Sequence, residues 1–160
     1  MFRKMRRFKQ QISDEQSKEL LKKTKRGILS LAGDEGYPYG IPINFYYDEE
    51  DHAIYFHSAK EGHKIDAIAR NDKVCFTVMN NDRIDEKDGW SYHLESVVVF
   101  GRASIVEDEE VKWSRARKFA GKYFPSDEYV EQEMHTGGME RMTLIKISIE
   151  HMTGKTVHEK

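Results

Sequence analysis

Hydrophobic and polar positions follow a helical period in only a few parts of the chain. Ser13 and Gln16 have the spacing of a capping box, and Leu20 and Leu21 follow on one side of the helix that this box would start. After Gly27 the period changes to short runs rich in aromatic and β-branched residues, each closed by turn-forming residues. These runs predict six strands, at residues 28–32, 37–47, 52–57, 74–79, 95–106 and 143–149. The pattern is typical of an antiparallel meander.

Further helices lie between the predicted strands. Apolar positions on one face predict a short helix within residues 60–71, and two more are expected at residues 107–124 and 127–135. The polar residues 80–91 are expected to form a loop, whereas the unbroken apolar run 97–100 fits a strand that is buried on both faces. The sequence therefore predicts a mainly β fold, a six-stranded antiparallel closed or split β-barrel with peripheral helices.

Composition narrows the class of protein. The chain has 160 residues, a length that predicts one domain spanning residues 1–160. Charged residues make up 34% of the sequence and aromatic residues 11%, a combination that indicates a folded protein with a well-hydrated surface. The net charge of −2 gives no general attraction to nucleic acid or anionic membrane, so we expect neither as a partner. Cys75 is the single cysteine, so no disulfide can form within the chain. The basic start lacks the apolar core of a secretory signal, and no apolar run has the length of a membrane helix, so we expect a cytoplasmic location.

The strongest candidate for binding chemistry lies where a predicted strand ends and a helix begins. Unpaired N–H groups at a helix start favour phosphate, and Gly62 would let a ligand approach the backbone closely. Ser58 adds a hydroxyl, and Lys60, His63 and Lys64 add cationic donors. The alternative is a solvated helix start with surface lysines.

A second candidate is the segment of residues 39–45. Pro42 inside a strand pattern indicates an edge or a bulge, where backbone amides are free and a planar ring could lie against them. Asn44 would supply polar contacts to such a ring. The alternative is a strand bend in which Phe45 packs into the core.

Histidines invite a metal hypothesis, because the chain has seven of them. The nearest set along the sequence, His52, His57 and His63, has neither HExxH spacing nor a cysteine partner, so we predict no metal site. No nucleophile elbow or Walker loop is present either.

Several segments together, in order along the chain, resemble the pyridoxamine-phosphate-oxidase-like FMN-binding split barrels. Within that family the resemblance is closer to the nitroimidazole-resistance (Nim-type) branch. The motif YGIPINF occupies residues 39–45, IYFHSA residues 54–59 and GHK residues 62–64. The other matching segments are residues 5–7, 27–31, 95–103 and 149–155, so the resemblance covers nearly the whole chain.

The resemblance implies a homodimer with two FMN sites at the subunit interface. Ser58, Lys60, His63 and Lys64 would hold the phosphate, and residues 42–45 would run beside the isoalloxazine ring. Ser96 would reach the ring, either from the same subunit or from the other one. His57 corresponds to the position nearest the reactive face, where it would either contact substrate and deliver a proton or form the pocket wall. The implied cofactor-binding set is Pro42, Ile43, Asn44, Phe45, His57, Ser58, Ala59, Lys60, His63, Lys64 and Ser96.

The function that this resemblance implies is an FMN-dependent oxidoreductase that reduces small acceptors such as nitroimidazoles or quinones. No Rossmann glycine fingerprint is present, so a nicotinamide electron donor would bind only transiently. Vitamin B6 synthesis is not expected, because the chain lacks the arginine-containing C-terminal motif of true pyridoxamine phosphate oxidases. Three alternatives remain: a haem-binding or haem-degrading barrel that uses His93, His135 or His151 as axial ligand, a non-catalytic flavin-binding module, and a deazaflavin-binding protein.

Overall fold

The structure is a computed structural model that describes residues 1–159, so Lys160, the last residue of the predicted domain, lies outside the described residues. Eight strands and five α-helices are present in this part of the chain. The strands are β1 (Gln11–Ile12), β2 (Arg26–Ala32), β3 (Pro38–Asn44), β4 (Tyr46–Asp48), β5 (Ala53–Ala59), β6 (Lys73–Asp85), β7 (Ser91–Ile105) and β8 (Met142–Glu159). The helices are α1 (Asp14–Lys23), α2 (His63–Arg70), α3 (Glu109–Tyr123), α4 (Asp127–Met134) and α5 (Gly138–Arg141).

One antiparallel sheet contains every strand, in the order β3-β2-β6-β7-β8-β5-β4, with β1 added beside β8. The two edge strands, β3 and β4, are separated along the chain by Phe45 alone. The chain therefore passes at Phe45 from one edge of the sheet to the other, which requires the sheet to curl. Phe45 is fully buried and packs edge-on against Phe76, with ring centroids 4.8 Å apart. The mainly β split barrel predicted from the sequence is confirmed.

The core fills the inside of the curled sheet with alternate residues of its strands. Leu29 and Leu31 of β2, Phe76 and Val78 of β6, and Ile145 of β8 are typical members, and all are at most 4% exposed. Because side chains alternate between the two faces of a strand, the residues between these positions point outward. A second, smaller cluster lies among α3, α4 and α5, with Ala116, Ala120, Val130, Met134 and Met139 as its buried members.

The outward face of the sheet remains partly uncovered. Ile28, Met79 and Phe100 are exposed apolar residues on this face. Residues 1–9 are rich in arginine and lysine and form a basic N-terminal arm, in which Phe2 stacks on Phe100 and on His151, with ring centroids 5.6 and 4.6 Å away. The start of the arm therefore lies on the chain's own sheet.

The strand count of six was too low by two. The predicted strand at 37–47 is two strands, because the chain changes sheet edges at Phe45, and β1 is only two residues long. The predicted loop at 80–91 was also wrong: β6 and β7 continue through it as a hairpin, with Arg83 paired to His93 and Asp85 to Ser91. Most residues of this hairpin are exposed, so its sequence lacks the apolar alternation that marks a half-buried strand.

The helices begin where local chemistry favours them. The capping box of α1 is present: the Gln16 N–H donates to Ser13 Oγ at 3.1 Å, and the Ser13 N–H donates to Gln16 Oε1 at 2.9 Å. Helix α2 begins only at His63, because Gly62 has φ of 124°, a conformation that side-chain-bearing residues rarely adopt. Within residues 1–159, no helix is both long and apolar enough to cross a membrane.

Candidate functional site

A cavity of about 350 Å³ lies between the outward face of β5 and the layer formed by α3, α4 and α5. Its volume falls in the range that small-molecule sites occupy. Most of the wall is apolar, with aromatic rings from α3 and its end and methionines from α4, α5 and β8. Four lining side chains carry a polar group: Asn44, His57, Tyr123 and Glu133. The lining residues are Asn44, His57, Ala116, Phe119, Ala120, Tyr123, Phe124, Glu133, Met134, Gly138, Met139, Met142 and Leu144.

His57 lies on the wall of this cavity because it occupies an outward position of β5. The Phe119 ring approaches it edge-on, with ring centroids 5.1 Å apart. His57 remains accessible to water, but the protein around it removes part of its hydration, and this lowers its pKa below 6.5. The positive charge of Lys64 lowers the pKa further. The imidazole is therefore neutral at pH 7.

Asn44 and Phe45 meet the end of α3 at Tyr123. The Phe45 N–H donates to the Tyr123 hydroxyl at 2.8 Å, and that hydroxyl in turn lies 2.5 Å from the Lys25 carbonyl oxygen. Lys122 donates to the Phe45 carbonyl at 3.0 Å. The side chain and both backbone polar groups of Phe45 are thus engaged within the protein, so the expectation of free backbone amides does not hold at this residue.

The segment predicted to bind phosphate contains a cation without a counter-ion. Lys64 is partly buried, which lowers its pKa, and its Nζ lies 5.6 Å from the centre of the Phe56 ring. Among the described residues, no carboxylate lies within ion-pair distance of this ammonium group. Ser58 is 8% exposed, and its hydroxyl makes no hydrogen bond to the part of the chain that the structure describes. This segment therefore contains two side-chain donors that the described residues leave unused.

His63 and Lys60, the other cationic donors predicted in this segment, have different surroundings from Lys64. His63 stacks on Tyr39, with ring centroids 4.1 Å apart, and its Nε2 lies 3.5 Å from Oδ2 of Asp34. Asp34 also accepts from Arg70 at 2.6 Å. His63 thus faces a carboxylate beside the β2–β3 turn. Lys60 is exposed.

The remaining predicted site residues lie outside the cavity. Ser96 is on the outward face of β7, opposite Met79 and Lys155, so within one chain it does not join the cavity wall. The others are exposed or packed in the main core: Pro42 is exposed opposite Ile28, Ile43 packs against the main core, and Ala59 is exposed opposite Met142.

A group of charged residues fixes α3 over β5. Arg115 donates to Asp51 Oδ2 at 2.6 Å and lies 3.3 Å from Asp48, and Lys118 lies 3.0 Å from Asp48. The Tyr55 hydroxyl also donates to Asp51, at 2.6 Å. Arg115 first, and the Tyr55 hydroxyl second, lower the pKa of Asp51 to about 2. We call these five residues the α3 anchor.

The aromatic wall of the cavity was missed in the sequence. Phe119, Tyr123 and Phe124 are spaced so that they lie on one side of α3 and its end. That spacing indicates an aromatic face on the helix. It does not identify the strand that the helix covers or show that the face meets His57, which is distant in the sequence.

Comparison with known structures identifies similar folds. A candidate 5-nitroimidazole antibiotic resistance protein from Bacteroides thetaiotaomicron matches with a TM-score of 0.78 and 24% identity, covering 93% of this chain and 87% of that one. Flavocytochrome Anf3 from Azotobacter vinelandii matches with a TM-score of 0.77 and 23% identity, covering 96% of this chain and 72% of that one. A protein from Mycobacterium smegmatis described as binding FAD and haem matches with a TM-score of 0.74 and 17% identity, covering 91% and 72%.

At these identities the structural matches establish a shared fold. A comparison with curated protein sequences found no match. The family model described as pyridoxamine 5'-phosphate oxidase matches residues 13–156, which include every strand from β2 to β7 and most of β8. The chain therefore belongs to the pyridoxamine 5'-phosphate oxidase family.

Proposed function

We propose that this protein binds flavin, as FMN, and works as an oxidoreductase that passes electrons to small planar acceptors such as nitroimidazoles or quinones. The observation that carries the proposal is the partly buried ammonium of Lys64, which has no carboxylate partner among the described residues and lies close enough to the cavity to lower the pKa of His57. Bound flavin would supply the electron-transfer chemistry, while the protein supplies binding, orientation and exclusion of water.

Lys64 and Ser58 fit the phosphate of such a cofactor. A charged donor beside a phosphate oxygen forms a hydrogen bond about twice as strong as a neutral one, and burial strengthens it further. Lys60 is exposed and free to turn toward the same anion. We assign His63 a smaller part, because the Asp34 carboxylate beside its Nε2 repels an anion.

The isoalloxazine ring would lie near Asn44 and His57, beside the edge strand β3. Phe45 would support the ring only indirectly, by holding the β3–β4 junction against Tyr123. Ser96 reaches a ring only if it comes from a second copy, so the proposal includes a homodimer. The uncovered outward face of the sheet, which includes Ile28, supports this part of the proposal.

The cavity beneath α3 would receive the acceptor. Its aromatic and methionine walls suit a flat apolar molecule, and His57 would contact that molecule from the side of β5. Because His57 is neutral at pH 7, we assign it a hydrogen bond to the acceptor there, with proton donation growing as the pH falls toward its pKa.

The reductase activity is testable in two half-reactions. The protein is mixed with FMN under anaerobic conditions, NADH is added, and the blue absorbance of the bound flavin is followed before and after a nitroimidazole or a quinone is supplied. We expect bleaching with NADH and return of the absorbance with the acceptor. In Phe119→Ala the return should slow by at least tenfold, while FMN affinity should fall far less than in Lys64→Ala, because Phe119 contacts His57 but none of the residues assigned to the phosphate. Bound flavin that no acceptor reoxidises would support the non-catalytic alternative.

The homodimer is testable by sedimentation. Ile28→Asp adds a charge to the uncovered sheet face, and we expect it to give monomers that bind FMN weakly. Tyr129→Asp, at a residue that is 55% exposed on α4, is the matched control and should remain a dimer. A monomeric wild-type protein that still binds FMN would contradict the shared site.

A further inference from the structure

Two histidines and one aspartate meet at the far end of the β6–β7 hairpin, away from the candidate flavin site. His93 of β7 and His158 of β8 are direct partners in the antiparallel register, so their side chains leave the sheet on the same face. Their rings stack with centroids 4.3 Å apart. Asp88, in the turn of the hairpin, reaches the same point: its Oδ2 lies 2.7 Å from Nε2 of His158.

We propose that Asp88, His93 and His158 form a binding site for a divalent transition-metal ion, with Zn²⁺ as its typical occupant. One potential ligand atom from each residue lies within 4.8 Å of the others. Around a tetrahedral zinc ion with bonds of about 2.0–2.2 Å, ligand atoms are about 3.3 Å apart, so the three groups must close by less than about 1.5 Å. The side chains of His158 and Asp88 are 52% and 39% exposed, so both lie at the surface, where a movement of that size meets little packed protein.

A buried hydroxyl already orients two of the three ligands. Ser91 is completely buried, and its Oγ donates to Asp88 Oδ2 at 3.0 Å and lies 3.2 Å from His93 Nε2. These contacts hold Asp88 and His93 close together before an ion binds, and the ion would replace the contact at His93 Nε2. When the ion binds, each neutral imidazole carries its hydrogen on Nδ1, so that the Nε2 lone pair faces the metal. Water would complete the coordination.

The donor set determines the class of ion. Imidazole nitrogens suit zinc, copper, nickel and cobalt, whereas calcium and magnesium prefer sites made entirely of oxygen ligands. The bound ion would join the hairpin turn at Asp88 to the end of β8 at His158. This site does not depend on flavin, since none of its three residues lines the cavity or belongs to the segment around Lys64.

The test is calorimetric titration of the untagged, flavin-free protein with ZnCl₂, and with MgCl₂ for comparison. We expect one zinc ion per chain and no magnesium binding. The His93→Ala, His158→Ala and Asp88→Asn variants should each lose at least about tenfold in zinc affinity. His52→Asn, at an exposed histidine of the β4–β5 turn, is the control and should bind zinc as the wild type does.

Two further measurements keep the outcome interpretable. Circular dichroism without metal shows which variants are folded, and only folded ones are compared. His158→Ala is the safest because the residue is exposed in the last part of β8. Cobalt added in place of zinc should give visible bands that disappear in the same three variants. No zinc binding by the wild type, or zinc binding unchanged in every folded variant, would overturn the proposal.

Discussion

Replacing Arg115 by methionine removes the cation that the α3 anchor shares between two carboxylates. Methionine keeps most of the apolar length of the side chain, so the change is mainly one of charge and hydrogen bonding. Asp51 loses one of two side-chain donors that each lie 2.6 Å from its Oδ2, and it keeps the other, the Tyr55 hydroxyl. Asp48, whose side chain is 2% exposed, keeps Lys118 as its remaining cation.

The magnitude follows from the pKa of Asp51. Its fall from 3.8 to about 2 in the folded protein corresponds to about 2.4 kcal/mol of stability at neutral pH. The Tyr55 hydroxyl supplies part of this fall and remains in the variant, and the Asp51 side chain is 23% exposed, so that water screens the interaction. The loss at Asp51 is therefore about 1–2 kcal/mol. The weakened pairing of the buried Asp48 adds about 1 kcal/mol. We therefore expect Arg115→Met to lower the free energy of unfolding by about 2–3 kcal/mol.

The pH dependence gives this prediction a second signature. Because the pKa of Asp51 is lower in the folded than in the unfolded protein, its contribution is fully present above about pH 4 and is lost as the pH falls toward 2. The stability difference between wild type and Arg115→Met should therefore stay constant from pH 7 to about 5 and narrow below about 4.

The assay is urea unfolding followed by tryptophan fluorescence, since Trp113 lies on α3 itself. Arg117→Met, on the same helix but paired with Glu131 on the surface, is the matched control and should cost less than about 1 kcal/mol. An Arg115→Met protein within about 0.5 kcal/mol of wild type at pH 7, with an unchanged pH profile, would refute this account of how α3 is held.

Other predictions concern packing and the cavity. Gly101→Ala should cost about 2–3 kcal/mol in urea unfolding, because the new Cβ would collide with the Ser148 backbone carbonyl oxygen. Gly121→Ala should instead raise the free energy of unfolding by about 0.5 kcal/mol, since the added methyl group meets nothing within 4 Å and alanine favours the helix in the last turn of α3. An equal loss in both variants would contradict the packing. In an NMR titration the pKa of His57 should lie below 6.5 and rise in Lys64→Ala, and a value above 6.5 would mean that the ring is not desolvated as described.

The order of elements was predictable where local chemistry alone decides the structure. The capping box at Ser13 and Gln16 started α1 as expected, and the apolar runs gave the inward residues of β2 and β6. The hairpin at residues 80–91 was not predictable from hydrophobic periodicity, because a strand that is solvated on both faces carries no such period. Phe45 looked like part of one long strand, since sequence alone does not reveal that the sheet closes there.

The candidate site was predictable only around the junction of β5 and α2. Ser58 and Lys64 were found because they follow one another closely at a strand-to-helix junction. The opposite wall was missed because Phe119 and Met142 come from elements far along the chain, brought over β5 by the α3 anchor. The pairing of His93 with His158 was missed for the same reason: it depends on the register of β8 against β7, which local patterns do not determine.

The most direct test of the central claim is the absorbance spectrum of the purified protein after addition of FMN and removal of the unbound cofactor, for wild type and Lys64→Ala. Parallel samples with FAD separate the two flavins, and Lys73→Ala, at an exposed lysine of β6, is the control. We predict flavin bands in the wild type and in Lys73→Ala, with at least tenfold weaker FMN binding in Lys64→Ala. A wild-type protein that stays colourless with both flavins, or that shows a Soret band only when haem is added, would contradict the account.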